Sequence, residues 1–259
     1  MGHGVSNELL RELVDAVEAR RPVVLATVVD TSRSVPRRAG SKMLVFPDGA
    51  TAGSVGGGEM EARVRAEAAS ALVDRRPRRI TYTLLDPATG DPGVCGGEVE
   101  LYLEPHMPPP TVYVIGVGHV GRAVVELAKW MGYRVVAWDD RQELTEGVDQ
   151  ADVVLTGTIA EAIAAAPPDE FSRAVMVTRN VALDVEILPA LLATPVASIG
   201  LMGSGRRWDT TRGLLREQGV SDSDLSRVRT PIGLDISAET PAEIAVSILA
   251  QIVGMERGG

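Results

Sequence analysis

Apolar positions recur at two different spacings along this chain, and the change of spacing divides it. Near the start, Leu9, Leu10, Leu13, Val14 and Val17 form one face at helical spacing behind Ser6, a residue type that caps helices. A β-branched run at 23–29 predicts a buried strand, and a polar loop follows over 31–38. Residues 42–46 and 50–53 predict a hairpin around Pro47-Asp48-Gly49. The alanine-rich segment 59–75 carries charges at regular spacing and predicts a helix. Strands expected at 79–85 and 99–103 bracket a loop that contains Cys95. These elements describe a mixed α+β domain around an antiparallel or mixed sheet.

The second half alternates. Apolar strands are expected at 112–115, 134–138, 153–155, 175–178 and 196–199, with helical segments between them, the first at 119–131. Strands joined by helix-length crossovers predict a Rossmann-like, doubly wound parallel sheet. The last helix opens at Thr240-Pro241-Ala242-Glu243. There threonine caps, proline takes a position that needs no N–H, and Glu243 reaches back to complete a capping box. Between the two patterns lies Pro105-His106-Met107-Pro108-Pro109-Pro110, whose prolines favour a stiff, extended spacer. The expected fold class is α/β, with an α+β domain at 1–107 and a Rossmann-like domain at 111–259.

Composition narrows the function classes. The 259 residues suit two domains, and 45% hydrophobic with 24% charged residues is ordinary for a globular protein. A formal net charge of −9 argues against general nucleic-acid binding. No apolar run is long enough to span a bilayer, and Glu8 and Glu12 interrupt the order expected of a signal peptide. The single cysteine cannot form an internal disulfide, so a cytoplasmic location is expected. His3, His106 and His119 show no metal-ligand spacing with it.

Three motifs carry candidate chemistry. Gly116-Val117-Gly118-His119-Val120-Gly121 follows a strand and opens a helix, as a dinucleotide fingerprint requires. Asp139, with Asp140 and Arg141 behind it, ends the next strand where a carboxylate accepts ribose hydroxyls, and an acid there favours NAD over NADP. Gly53-Ser54-Val55-Gly56-Gly57-Gly58-Glu59 offers a row of N–H donors for an anion, or a turn that needs positive φ. Glu59 either stabilises the start of its helix or turns back into the loop as a base or acceptor; Glu61 fits the helix-start role equally. Val94-Cys95-Gly96-Gly97 leaves the Cys95 sulfur uncovered, fit to ligate a soft metal or to carry sulfur, although a lone cysteine also serves as a small buried hydrophobe. Arg33, Arg37 and Arg38 surround Pro36 and face either a phosphate or solvent. Gly203-Ser204-Gly205-Arg206-Arg207 either grips a phosphate or closes the carboxyl edge of the sheet.

Taken in order with Pro231-Ile232-Gly233-Leu234-Asp235-Ile236, these stretches resemble the XdhC/CoxI family, accessory factors of xanthine dehydrogenase and related molybdenum hydroxylases. The resemblance spans both domains. It implies binding of the molybdenum cofactor (molybdopterin) and delivery of its sulfurated form to a xanthine dehydrogenase-type apo-hydroxylase. A cysteine desulfurase would be the sulfur donor and a homodimer the assembly. Carried over by position, Cys95 is the cofactor-facing thiol, the 53–59 loop the cradle, and Gly116, Gly118, His119 and Gly121 belong to an NAD(P) site. One departure stands out: a histidine-containing stretch is expected after the fourth Rossmann strand, where this chain has Thr178-Arg179-Asn180-Val181. An NAD(P)-dependent oxidoreductase and a nucleotide-sensing scaffold remain the alternatives.

Overall fold

The structure is a computed structural model that describes residues 7–32, 35, 37–83 and 97–256. The chain divides into two compact units, Met1–Pro108 and Pro109–Gly259. Ser6, Arg33, Pro36, the end of the strand expected at 79–85, Cys95 and Gly96 lie outside the described residues.

The first unit contains α1 (Asn7–Glu18), β1 (Val23–Ser32), β2 (Lys42–Val45), β3 (Thr51–Gly53), α2 (Gly58–Asp74), β4 (Arg78–Thr83) and β5 (Glu98–His106). Its five strands form an antiparallel sheet in the order β3-β2-β1-β5-β4. The two-residue alternation of β1 sorts the core. Val24, Ala26 and Val28 join Met60, Val64, Ala68 and Ala71 of α2 on one face. Val23 and Leu25 meet Leu9 and Ala16 of α1 on the other. Each fully buried valine or methionine contributes about 1.5–3 kcal/mol, so α2 is held by its apolar stripe rather than by its propensity.

Two strands exceed their expected bounds. Thr31 and Ser32 look like loop, yet they pair with Val99 and Glu98 and extend β1. Pro105 falls within β5, opposite Val24 of β1, although the whole proline run reads as spacer in the sequence. β4 pairs with β5 only from Glu98 to Leu103, so at Pro105 that side of β5 is an edge, where proline is tolerated.

The second unit runs β6 (Thr111–Ile115), α3 (His119–Trp130), β7 (Arg134–Trp138), α4 (Gln142–Thr145), β8 (Val153–Leu155), α5 (Ile159–Ala165) and β9 (Ser172–Met176). It continues through α6 (Val181–Leu192), β10 (Ser198–Leu201), α7 (Gly205–Glu217), α8 (Asp222–Leu225), β11 (Val228–Arg229) and α9 (Pro241–Glu256). All six strands are parallel, in the order β11-β10-β9-β6-β7-β8. Both faces are covered, which explains the unbroken apolar run of β6. Val112 and Val114 pack with α3 and α9, whereas Tyr113 and Ile115 pack with α5, α6 and α7. α3 and α6 therefore lie on opposite faces, and the chain's topological switch falls between β6 and β9. In such sheets ligands bind outside the carboxyl ends of the strands at that point.

The strands expected at 175–178 and 196–199 are displaced. β9 starts early because Ser172, held by Asp169, pairs with Thr111 despite its polarity. β10 starts at Ser198 to keep register with Arg173. β11, two residues long, carries no visible sequence pattern. The capping box of α9 forms as expected: Thr240 N–H donates to Glu243 at 2.9 Å, and Glu243 N–H to Thr240 Oγ1 at 3.3 Å. Among the described residues no helix is long and apolar enough to cross a membrane.

Candidate functional site

Each unit opens a helix with a glycine-rich loop. In the first unit, Gly53 ends β3 at φ +75°, and a Cβ there would lie 2.6 Å from the Lys42 carbonyl oxygen. Gly56, Gly57 and Gly58 follow at φ +148°, +86° and +61°. This backbone does gather N–H donors, but the chain supplies their acceptor. Glu61, within the first turn of α2, accepts the Ser54 hydroxyl at 2.7 Å and the N–H groups of Gly57 and Val55 at 2.9 and 3.3 Å. Ser54 Oγ in turn accepts the Gly56 N–H at 3.3 Å. Burial by itself raises Glu61, but these donors outweigh it and hold the carboxyl below its ordinary range. Glu59 is exposed and has no hydrogen-bond partner among the described residues. The carboxylate that turns into the loop is thus Glu61. Gly97 is buried just before β5; Arg37 and Arg38 are exposed.

In the second unit, Gly116 turns at φ +96° and donates its N–H to the Trp138 carbonyl at 2.7 Å. A Cβ on Gly121 would lie 1.9 Å from the Gly116 carbonyl oxygen, so α3 can approach the loop only with glycine there. A Cβ on Gly118 would meet nothing within 4 Å, and no side chain caps α3. His119, the first residue of that helix, is exposed. The start of α3 is bare.

The acids after β7 are engaged. Asp139 is 1% exposed. Its Oδ2 accepts the Val117 N–H at 2.9 Å, and its Oδ1 accepts the Arg141 N–H and Nε, each at 3.0 Å. Arg141 Nη2 adds a 3.2 Å bond to Oδ2. Asp140 instead meets Arg179, from the turn after β9, in a two-pronged pair of 2.7 and 2.6 Å. The Arg179 guanidinium pulls Asp140 below the usual carboxylate range. Behind that turn, fully buried Asp184 of α6 accepts Arg207 Nε and Nη2 at 2.7 Å each and the Thr178 hydroxyl. Arg207 also donates to the carbonyls of Thr178 and Asn180 at 3.0 and 3.2 Å. Of the two roles open to the 203–207 stretch, Arg207 serves the structural one; Arg206 is exposed.

Comparison with known proteins decides the family. A model described as the XdhC Rossmann domain matches residues 112–252, and one described as the XdhC and CoxI family matches 16–83. The chain belongs to the XdhC/CoxI family. It is 33% identical over 255 residues to the uncharacterized protein YqeB of Escherichia coli, covering 95% of this chain and 46% of that protein. It is 28% identical over 155 residues to a Bacillus subtilis protein named as a probable subunit of xanthine dehydrogenase, covering 59% of this chain and 45% of the relative. The chain thus spans about half the length of the curated relatives it matches. A crystal structure described as a xanthine dehydrogenase from Bacillus halodurans shares the fold, with a TM-score of 0.51, 22% identity and 95% of both chains covered.

For this XdhC-type Rossmann unit, a dinucleotide fits unevenly. The phosphate end fits: Gly118 leaves open space before an uncapped helix start. The ribose end does not fit through Asp139, both of whose oxygens are taken by Val117 and Arg141. Three residues central to this geometry have roles that the sequence does not reveal. Glu61 reads only as a helix-start acid, Asp184 carries no signal beyond its place in a first helical turn, and Arg179 stands out only as a departure from the family pattern.

Proposed function

We propose that this chain is an accessory factor for xanthine dehydrogenase-type molybdenum hydroxylases, binding the molybdenum cofactor and handing its sulfurated form to the apo-enzyme. What carries the reading is the match of both halves of the chain to the two XdhC family models. The Bacillus subtilis relative, named for xanthine dehydrogenase, is consistent with it. In this reading the cofactor is cargo: Cys95, which precedes Gly96 and Gly97 in the sequence, offers a thiolate to its metal end. The loop of Gly53, Ser54, Gly56, Gly57 and Gly58 receives the pterin phosphate once Glu61 gives way, with Glu59 at its rim. NAD(P) is a second ligand, held in the Rossmann unit at Gly116, Gly118, His119 and Gly121. A cysteine desulfurase as sulfur donor, a homodimer and a cytoplasmic location complete the proposal.

The test is reconstitution of an apo-hydroxylase with molybdenum cofactor, with and without this protein. Activation above the protein-free control is expected. Cys95→Ala should lower cofactor retention about ten- to a hundredfold, the loss of one charge-assisted contact. Equal activation in both arms would refute delivery, and unchanged retention would remove Cys95 from the site.

A further inference from the structure

The Asp140–Arg179 pair is two-pronged and joins residues 39 positions apart. Asp140 lies two residues after β7 and Arg179 three after β9, and β7 and β9 are the two neighbours of β6. The pair therefore joins both flanking strands across the end of β6, at the switch point where the glycine loop departs. Both side chains keep substantial contact with solvent, at 29% for Asp140 and 42% for Arg179. Solvent therefore reaches both groups, and an incoming ligand can compete for either. Asp139, by contrast, is saturated and enclosed.

We infer that Asp140 and Arg179 are the ligand-reading residues of this switch point, held in their ion pair, with Arg141 Nε 3.9 Å from Asp140, until an adenosine phosphate with an unmodified ribose parts them. The ribose diol goes to Asp140, whose oxygens accept but cannot donate. The phosphate goes to Arg179, whose planar fork matches a phosphate as it now matches the carboxylate. One ion pair is thereby exchanged for two contacts, and the acid excludes a phosphate on the 2′ oxygen. This inference rests on the dinucleotide part of the proposed function and reassigns ribose recognition from Asp139 to Asp140.

The test titrates the full chain with NADH and with NADPH, following nicotinamide fluorescence, for the wild type, Arg179→Ala, Arg179→Lys and Asp140→Asn. Matching thermal midpoints show that the variants are folded. The wild type should bind NADH about tenfold more tightly than NADPH, and Arg179→Ala should weaken NADH about tenfold with partial rescue by lysine. Asp140→Asn should bring the two nucleotides to similar affinity. Unchanged or tighter NADH binding by Arg179→Ala would overturn the inference, because the pair would then be a strap that excludes ligand. A wild type that binds neither nucleotide would remove the dinucleotide reading itself.

Discussion

The two glycine loops begin from the same backbone device and end in different states. Both follow a strand, turn through positive φ and lead into a helix. In the first unit the loop meets Glu61, which reaches back from its own helix and takes two N–H groups and a hydroxyl. In the second the nearest acid comes from another strand: Asp139 takes the single N–H of Val117 and leaves the start of α3 uncapped. What separates the loops is how many of their donors the chain's own carboxylates take.

That contrast can be broken most strongly at Gly121. Gly121→Ala forces a Cβ against the Gly116 carbonyl, and a loss of about 3 kcal/mol is expected in the second unit. All three tryptophans, Trp130, Trp138 and Trp208, lie in that unit, so their fluorescence reports its unfolding separately from the first. Unchanged stability would mean that close helix approach does not depend on this glycine.

Glu61→Ala should cost the first unit about 2 kcal/mol near neutral pH, seen as faster amide exchange at Val55 and Gly57. Because folding depresses the Glu61 pKa, its contribution is fully present above the unfolded-state value and is lost as pH falls through the folded one. The gap between variant and wild type should therefore narrow as pH falls below the ordinary glutamate range and close once the folded-state carboxyl is protonated. A gap that persists there would assign the effect to packing rather than to the carboxylate.

Gly58→Ala sharpens the comparison with the smallest change. A Cβ there meets nothing within 4 Å, yet φ is +61°, so only backbone strain of about 1 kcal/mol is expected. Denaturant unfolding followed by far-UV circular dichroism would resolve it. A much larger loss would reveal a contact absent from this geometry.

Local pattern carried most of the fold. β7 and β8 lie at their expected positions, and the capping box of α9 forms, because each depends on residues close in sequence. What escaped depends on distant partners. Thr31 and Ser32 become strand through Glu98 and Val99, and Ser172 through Thr111. The same division runs through the candidate site. Glycine positions declare themselves, since positive φ and close approach demand that residue. Which acid turns inward does not: Glu59 and Glu61 share one helical turn, and only the path of the loop selects between them. Arg179 and Asp140 are 39 positions apart, and nothing short of the strand order puts them together.

The Arg207 clamp has a consequence beyond its own stability. Its guanidinium binds the carbonyls on both sides of Arg179, at Thr178 and Asn180, while Asp184 anchors it from below. The backbone that presents Arg179 is thus mounted on a fixed pedestal whose ordering entropy was spent when the protein folded. Loosening Arg207 should therefore be felt at the carboxyl end of the sheet by a residue it never touches.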